Sequence, residues 1–451
     1  MTRTADIVIC GAGICGVSAA YFLSKAGFRD ILLLDERPPL SLTSDRSTEC
    51  YRNWWPDAAM LALMNRSIDL MESIAEETGN RFRMNRRGYL YLSADPAGIP
   101  ALIARAERTS GLGGGPLRIH RSESSAYQPA IPEGYRAQPT GADLLLESSL
   151  IQKHFPYVTD AAVAALHVRR AGWLSAQQLG MTLLDAARSR GVRVEAARVA
   201  EVETENGRVR GVRLDSGERV ESPIFVNAAG PFLNDVAKLV GVDLPVHTEL
   251  HLKAAIKDSA GVVGRDAPLL IWDEPQTLAW DEADRRSLTE TPETRWLTEP
   301  LPAGAHTRPE GGEDSQTILM LWEYKTRLTP PIWPPALDEQ YSEIAMRGLT
   351  AMLPRMRGYF ERMPRPQLDG GYYTRTRENR PLVGPLPIDG GFVVGAVSGY
   401  GIMAACGVGD LLAAHVAGTE LTAHAAAFHP ARYDDAGYQK EIASGDDSGQ
   451  L

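Results

Sequence analysis

The chain has 451 residues, of which 44% are hydrophobic and 23% are charged. This composition is typical of a globular protein and excludes a disordered chain, a collagen and a coiled coil, and the length predicts two or three domains. Lys plus Arg total 47 and Asp plus Glu total 57, so the net charge is 47 − 57 = −10. An acidic chain has no general attraction for phosphate backbones, so we expect no nucleic-acid partner.

The cysteines and the apolar N-terminus narrow the class of protein further. Four cysteines are too few for a disulfide framework in a chain of this length, so we expect a cytoplasmic protein. Their spacings do not match a zinc site, and we predict no metal. The uncharged run over residues 7–23 is short for a membrane span and is punctuated by glycines. We interpret it as a buried strand, a turn and a helix, and we expect no membrane span.

A glycine motif follows the first predicted strand. The apolar runs at 6–10 and 31–34 predict parallel strands buried on both faces, with a helix over 17–25 between them. The turn has the spacing G-x-G-x-x-G, which permits a tight bend, a close approach to a pyrophosphate and helix packing. The acids after the second strand can accept ribose hydroxyls, which favours a dinucleotide without a 2′-phosphate. The residues assigned to this motif are Gly11, Gly13, Ile14, Cys15, Gly16, Asp35 and Glu36, with Asp35 in the better register.

Four further segments carry a family resemblance. Residues 171–179 lead into a predicted helix, and residues 223–230 end in Asn-Ala-Ala-Gly. The segments 370–385 and 391–403 precede a long helix of small residues. Together with the glycine motif, these segments closely resemble the D-amino-acid-oxidase-like (DAO) family of FAD-dependent oxidoreductases, of the sarcosine oxidase, glycine oxidase and dimethylglycine dehydrogenase type. The resemblance covers about 1–90, 150–257 and 365–435.

The resemblance implies an α/β (α+β) fold in which two domains are interleaved along the chain. A Rossmann-like FAD-binding domain is expected from 1–86, 157–244 and 370–435, and a substrate domain with a large antiparallel sheet from 87–156 and 245–369. Residues 436–451 are expected to form a flexible tail.

Parts of the substrate domain can be read independently of the resemblance. Aromatic and branched residues at 88–93 and 317–324 predict strands. Residues 281–316 are polar and predict a long surface excursion, with His306 in a loop.

The resemblance implies FAD as the cofactor, and we expect it to be bound non-covalently. The flavin-linking cysteine of sarcosine oxidase falls at Gly371 here, which excludes that bond, while another alignment allows a link through Cys50. The opening of the long C-terminal helix should face the flavin edge that becomes anionic on reduction. The other residues that the resemblance assigns to the cofactor are Ser47, Thr48, Val199, Gly230, Gly399, Tyr400, Gly401, Ile402 and Met403.

The resemblance also suggests side chains for the substrate. Arg52 aligns with the family arginine that binds the substrate carboxylate, for which a guanidinium fork is well suited. Met320 stands where sarcosine oxidase has its oxygen-activating lysine, so Lys253, or else Lys325, is the candidate cation near flavin N5. Core packing is the alternative role for every aromatic residue here. The aromatic residues assigned to the site are Tyr324 and Tyr373 as catalytic residues, and Trp54, Trp55, Trp322, Tyr372 and Tyr400 as pocket residues.

These assignments predict an oxidase or dehydrogenase that acts on an amine or an N-alkyl amino acid. Hydride passes from the carbon next to nitrogen to flavin N5, and the imine hydrolyses. The expected partners are the small-molecule substrate and O2 or an electron-acceptor protein, with the chain a monomer or a homo-oligomer. One alternative is a 2-hydroxy-acid or polyol dehydrogenase, with His251 or Tyr373 as the base. Others are a flavin subunit of a multi-subunit amine dehydrogenase and a flavin-binding protein without turnover.

Overall fold

The structure is a computed structural model that describes residues 3–312 and 314–444. Its strands, in chain order, are β1 (Arg3–Thr4), β2 (Ile7–Cys10), β3 (Ile31–Asp35), β4 (Cys50–Arg52), β5 (Tyr89–Ser93), β6 (Leu117–His120), β7 (Ala142–Leu145), β8 (Ala164–Val168), β9 (Ala171–Trp173), β10 (Arg193–Ala196), β11 (Val199–Glu205), β12 (Arg208–Leu214), β13 (Arg219–Glu221), β14 (Ile224–Asn227), β15 (His247–Lys257), β16 (Leu269–Trp272), β17 (Ala305–Pro309), β18 (Thr317–Leu321), β19 (Gln367–Arg375), β20 (Leu382–Pro385) and β21 (Gly391–Gly395). Its α-helices are α1 (Ile14–Lys25), α2 (Ala58–Thr78), α3 (Ile99–Thr109), α4 (Ser148–His154), α5 (Ala176–Arg188), α6 (Leu233–Lys238), α7 (Glu282–Glu290), α8 (Tyr341–Leu349), α9 (Gly401–Ala417) and α10 (Ala436–Ser444).

A six-stranded sheet carries the glycine motif. Its order is β10-β3-β2-β14-β21-β20, and every neighbouring pair is parallel except β20 with β21. Ile7, Ile9 and Leu33 pack on the helical side, in one buried cluster with residues of α1, α2, α5 and α9. Because successive side chains of a strand point to opposite faces, Val8 and Leu34 face the other way. They pack against a four-stranded sheet of order β1-β13-β12-β11.

A separate nine-stranded sheet forms the second large part of the structure. Its order is β19-β15-β18-β17-β16-β5-β8-β7-β6, and its pairs are antiparallel except β5 with β16 and β6 with β7. Helix α8 packs on one face, where Ile344 and Leu349 join Ile256, Ile318 and Met320 in a buried cluster. The chain therefore has the α/β fold with a Rossmann-like unit and an interleaved sheet that the sequence predicts.

The strand pairing differs from the expected domain limits at two places. Strand β8 pairs with β5, although residues 157–244 were assigned to the FAD-binding domain. Strand β19 pairs with β15 along its length, although that domain was expected to resume at residue 370. The nine-stranded sheet thus extends past both limits, because backbone hydrogen bonding to β5 and β15 decides where these strands belong.

The expected surface excursion and tail also differ from the structure. Residues 281–316 include the exposed helix α7 but also β17, which lies between β16 and β18 and is buried throughout. The prediction of a loop at His306 is therefore wrong, since His306 lies in β17. The expected flexible tail begins with α10, where Tyr438 donates to Glu378 over 2.9 Å. Residues 445–451 of that tail lie outside the described residues. Between residues 3 and 444, except residue 313, no helix is long and apolar enough to cross a membrane.

Candidate active site

Two adjoining cavities lie where the six-stranded sheet meets the nine-stranded sheet. The first has a volume of about 540 Å³ and extends from the glycine motif to the start of α9. The second, of about 330 Å³, lies against the nine-stranded sheet. The two cavities share a wall, since both are lined by Thr48, His251, Leu252, Leu321, Tyr373 and Gly399.

The glycine motif forms one end of the first cavity. Gly11 has a φ of +107°, and a Cβ placed on it would lie 2.4 Å from the Ala228 carbonyl oxygen, so the turn requires glycine. A Cβ on Gly13 would meet only Ser44 Oγ, at 3.5 Å, which leaves this backbone open to the cavity. The Ile14 amide at the start of α1 donates to Ser44 Oγ over 3.0 Å. Ser44 was not assigned from the sequence, although Ser47 and Thr48 of the same loop were, because the resemblance gave no signal at this position.

The two acids after β3 have different surroundings. Asp35 accepts hydrogen bonds from the backbone amides of Ala12 and Arg37, over 2.8 and 2.9 Å. Glu36 forms an ion pair with Arg37, and 43% of its side chain is exposed. Both line the first cavity, but Asp35 is the one that the turn holds in place. This arrangement favours Asp35 as the acceptor for ribose hydroxyls.

The start of α9 forms the other end of the first cavity. Tyr400 occupies the N-cap position, and the cavity is lined by Gly399, Gly401 and Ile402. Unpaired amides at a helix N-terminus favour negative charge. Lys253 also lines this cavity and donates to the Ser47 carbonyl over 2.8 Å. Burial lowers the pKa of Lys253, and its hydrogen bond ties β15 to the loop at Ser47.

The residues of the first cavity fit FAD. Its two helix N-termini and the glycine turn offer backbone amides to phosphates and to an anionic ring edge, and Asp35 offers acceptors to a ribose. Most of the residues predicted to bind the cofactor line this cavity: Gly11, Gly13, Ile14, Cys15, Asp35, Glu36, Ser47, Thr48, Val199, Gly230, Gly399, Gly401 and Ile402.

Three predicted cofactor residues lie elsewhere. Gly16 lines neither cavity, and a Cβ on it would lie 1.8 Å from the Gly11 carbonyl oxygen, so it serves helix packing. Tyr400 and Met403 line the second cavity instead of the first, whereas Gly401 and Ile402 between them line the first. Cys50 also lines only the second cavity; its thiol donates to the Thr48 carbonyl, and burial raises its pKa.

Arg52 lines the second cavity, among aromatic rings. It is buried, donates to the Tyr91 hydroxyl over 3.0 Å, and its guanidinium lies 4.6 Å from the Trp55 ring centre. Trp55 in turn meets Tyr400 edge-on at 5.3 Å. The predicted pocket residue Trp54 lines neither cavity. It packs in another buried cluster, where a Cβ on Gly114 would lie 2.9 Å from its ring.

The remaining predicted aromatic residues divide between the two cavities. Trp322 and Tyr324 line the second cavity, and Tyr373 lines both. Tyr324 is stacked on Tyr341 at 5.7 Å. Tyr372 lines the first cavity and not the second, so its assignment to the substrate pocket is corrected. Its hydroxyl donates to the Ile332 carbonyl over 2.9 Å.

A chain of buried charged groups ends at the junction of the cavities. Arg375 donates to Glu249 over 3.1 Å, and Glu249 also lies 3.1 Å from His251 Nε2. The other ring nitrogen of His251, Nδ1, lies 3.0 Å from Glu323 Oε1. The ring of Tyr373 is stacked on His251, with 3.7 Å between the ring centres.

Two members of this chain, Glu249 and His251, have pKa values shifted for physical reasons. Burial disfavours the charged form of His251, but Glu323 and Glu249 outweigh it and raise the pKa of His251. The hydrogen bond from His251 lowers the pKa of Glu249 to about 2, helped by Arg375. Of the four, the sequence named only His251, as an alternative base. The alternation Glu249-Leu-His251-Leu-Lys253 in a predicted strand was the available signal, since it places three charged groups on one face.

Lys325 and its neighbours form another part of the second cavity's wall. The segment 325–338 contributes Lys325, Arg327 and Asp338 to the lining, and the Lys325 ammonium lies 4.2 Å from the Trp296 ring centre. Lys325 therefore lines only the second cavity, whereas Lys253 lines the first. Between residues 3 and 444, apart from 313, no group of three or more His, Cys, Asp or Glu side chains could hold a metal ion.

Comparison with known proteins identifies the family. The model of the DAO family, described as FAD dependent oxidoreductase, matches residues 6–415. The chain belongs to this family of FAD-dependent oxidoreductases.

Individual relatives are distant. The chain is 24% identical over 413 residues to mitochondrial dimethylglycine dehydrogenase of Homo sapiens, which covers 90% of this chain and 42% of that protein. It is 27% identical over 254 residues to the Rattus norvegicus enzyme of the same name, covering 54% of this chain and 25% of that protein. The chain thus spans less than half the length of these curated relatives. The crystal structure of L-proline dehydrogenase from P. horikoshii has a TM-score of 0.73 at 18% identity, covering 96% of this chain and 99% of that one.

Proposed function

We propose that the protein oxidises the C–N bond of an amino acid with a free or N-alkylated amine. The observation that carries the proposal is a second cavity, lined by the Arg52 guanidinium and aromatic rings, that shares a wall with the cofactor cavity. The relatives named dimethylglycine dehydrogenase and L-proline dehydrogenase support the same substrate class.

The first cavity would hold FAD without a covalent link. When bound, FAD supplies the two-electron acceptor. Cys50 lines only the neighbouring cavity, and burial raises the pKa of its thiol, which disfavours the nucleophilic thiolate. Both observations argue against a thioether at this residue.

The second cavity would orient the substrate and exclude water. Arg52 can hold a carboxylate with two hydrogen bonds from its planar fork. Trp55, Tyr324 and Tyr400 form apolar walls that suit an alkylated amine through cation–π contact, worth about 0.5–2 kcal/mol. Oxidation removes a hydride equivalent from carbon and a proton from nitrogen, which leaves an imine. Water then converts the imine to a carbonyl compound and an amine.

The charged chain at the junction argues against oxidation of a hydroxy acid. That reaction needs a base beside the hydroxyl group, and His251 was the histidine considered for it. Both ring nitrogens of His251 lie against carboxylates, which accept hydrogen bonds but do not donate them. His251 therefore holds its protons and is a poor base.

The test is the visible spectrum of the purified protein under anaerobic conditions during titration with amines, amino acids and hydroxy acids. We expect a flavin absorption band at about 450 nm that an amino acid bleaches. We also expect acid precipitation of the protein to release the flavin into solution. Bleaching by hydroxy acids alone would contradict the proposed substrate class. Flavin that stays with the precipitated protein would contradict the non-covalent assignment. After bleaching, the rate at which air restores the colour separates an oxidase from a dehydrogenase that needs another acceptor.

A further inference from the structure

The charged chain Arg375–Glu249–His251–Glu323 presents only one carboxylate to the second cavity. Glu323 lines that cavity, and 25% of its side chain is exposed. Glu249 lines neither cavity and is held between His251 and Arg375. His251 lines both cavities, but each of its ring nitrogens already faces a carboxylate. Glu323 is therefore the member of the chain that can meet a ligand.

The same cavity contains a guanidinium from another element. Arg52 belongs to β4, whereas Glu323 follows β18 in the nine-stranded sheet. Both line a space of about 330 Å³, together with rings such as Tyr324 and Tyr373. A ligand that carries both a negative and a positive group can contact both side chains at once. A carboxylate without an amine can contact Arg52 but offers no cation to Glu323, which then keeps its contact with His251 and gains none.

We propose that Glu323 receives the amine end of a zwitterionic amino acid whose carboxylate binds Arg52, and that His251 positions Glu323 for this contact. This inference rests on the proposed function, because it assumes that the second cavity receives the substrate. It names Glu323 as the residue that selects amino acids over simple carboxylates. It also gives His251 a role without proton transfer to or from the substrate.

The experiment compares two probes that share a five-membered ring and a carboxylate and differ in the amine. L-Proline and cyclopentanecarboxylate are titrated anaerobically into the FAD-loaded protein, and the shift of the flavin spectrum before any bleaching gives each Kd. We expect Glu323→Gln to weaken the binding of L-proline by about 10–100-fold, the range for a charge-assisted contact. The Kd of cyclopentanecarboxylate should change by less than about threefold, since this probe has no group for Glu323 to bind.

Three outcomes overturn the inference. Equal weakening of both probes means that Glu323 only shapes the cavity. An unchanged Kd for L-proline means that Glu323 does not touch the amine. A wild-type protein that binds neither probe means that the cavity does not take zwitterions of this class.

Glu249→Gln provides the matched control. It removes the other carboxylate from His251 but leaves the carboxylate that lines the cavity. We expect this variant to keep most of the preference for L-proline over cyclopentanecarboxylate. Loss of that preference to the same degree as in Glu323→Gln would assign the effect to the charge of the chain and contradict the contact with Glu323.

The positioning role of His251 is tested with two substitutions. Glutamine can still donate to Glu323, whereas leucine cannot, so His251→Gln should restore most of the preference that His251→Leu loses. Equal loss in both variants would contradict the positioning role. Bleaching reports separately on the proposed function. If L-proline binds in a Glu323-dependent way but no amino acid bleaches the flavin, the oxidation proposal fails and the amine contact stands.

Discussion

The two cavities are built in different ways, although they share a wall. The first is lined by several segments, among them the turn after β2 and the start of α9, where glycines leave the backbone open to the cavity. The second is lined by residues of β4, by residues 250–252 within β15, by the end of β18 and by the segment 325–338. Backbone amides and helix termini recognise phosphate in the same way in many chains. Side chains that meet across a sheet can vary independently, so we expect substrate choice to reside in the second cavity.

The largest expected effect lies at the glycine turn of the first cavity. Gly11→Ala should abolish FAD binding and destabilise the fold, because the new Cβ would lie 2.4 Å from the Ala228 carbonyl oxygen. The flavin-to-protein absorbance ratio and the melting temperature measure both effects.

Gly27→Ala is the control for backbone strain alone. Gly27 has a φ of +108°, against +107° for Gly11, but a Cβ on Gly27 would meet nothing within 4 Å. The substitution should cost about 1–2 kcal/mol, the strain of a left-handed residue, and keep FAD. Equal losses of FAD binding and of stability in the two variants would mean that the positive φ of Gly11, and not its close approach to Ala228, explains the effect of Gly11→Ala.

The next largest effect belongs to the second cavity. Arg52→Ala should weaken amino-acid carboxylates by about 10–100-fold, equivalent to about 1.5–3 kcal/mol for a charge-assisted contact. Arg52→Lys should recover only part of the loss, because an ammonium lacks the planar fork. The Kd from anaerobic flavin titration is the measurement. Unchanged binding of carboxylates in Arg52→Ala would remove Arg52 from the substrate site.

The same contrast explains what could be predicted from the sequence. The β2–turn–α1–β3 unit was predictable because its apolar runs and its glycine spacing lie in one contiguous stretch of sequence. Such apolar runs directly indicate buried elements. Strand β17 was not, because its sequence Ala-His-Thr-Arg-Pro is polar. It is buried because β16 and β18 pair with it on both sides, and because Arg308 donates to the Thr48 carbonyl and pairs with Glu310.

The second cavity could be predicted only in part for the same reason. Arg52 and the aromatic residues were found through family resemblance, whereas Glu323 departs from any motif. Its partner His251 lies on β15, 72 positions earlier in the chain. Such a contact depends on strand order, and the order β15-β18 in the nine-stranded sheet is set by pairings that no local pattern encodes.

A smaller effect is expected where the first cavity uses a side chain. Asp35→Asn should weaken FAD by about tenfold, roughly the value of one charge-assisted hydrogen bond. Glu36→Gln is the neighbouring control and should have less than about a threefold effect, since Glu36 is engaged with Arg37 and largely exposed. Titration of apoprotein with FAD gives both values. The reverse order of the two effects would assign the ribose contact to Glu36.

The smallest expected effect is a pH-dependent stability at the junction of the cavities. The pKa of Glu249 is lowered from 4.5 to about 2, so its contribution is present above about pH 4.5 and is lost as the pH falls towards 2. The pKa of His251 is raised from 6.5, so its contribution is present below that value and is lost as the pH rises through the higher folded-state pKa. The ion pair therefore stabilises the fold most between about pH 4.5 and 6.5.

Glu249→Gln should accordingly lower the melting temperature most near pH 5.5 and less towards pH 9, because His251 loses its charge as the pH rises through its folded-state pKa and the contact with Arg375 is then the main interaction removed. Glu378→Gln is the matched control, because Glu378 pairs with Arg432, whose charge persists at pH 9. The decrease in melting temperature caused by Glu378→Gln should be the same at pH 5.5 and pH 9. If the loss in Glu249→Gln is also the same at pH 5.5 and pH 9, the charge of His251 in the folded protein does not change between these pH values. The upper limit of the stability window would then be wrong, while the hydrogen bond from His251 to Glu323, which needs a donor and not a charge, would stand.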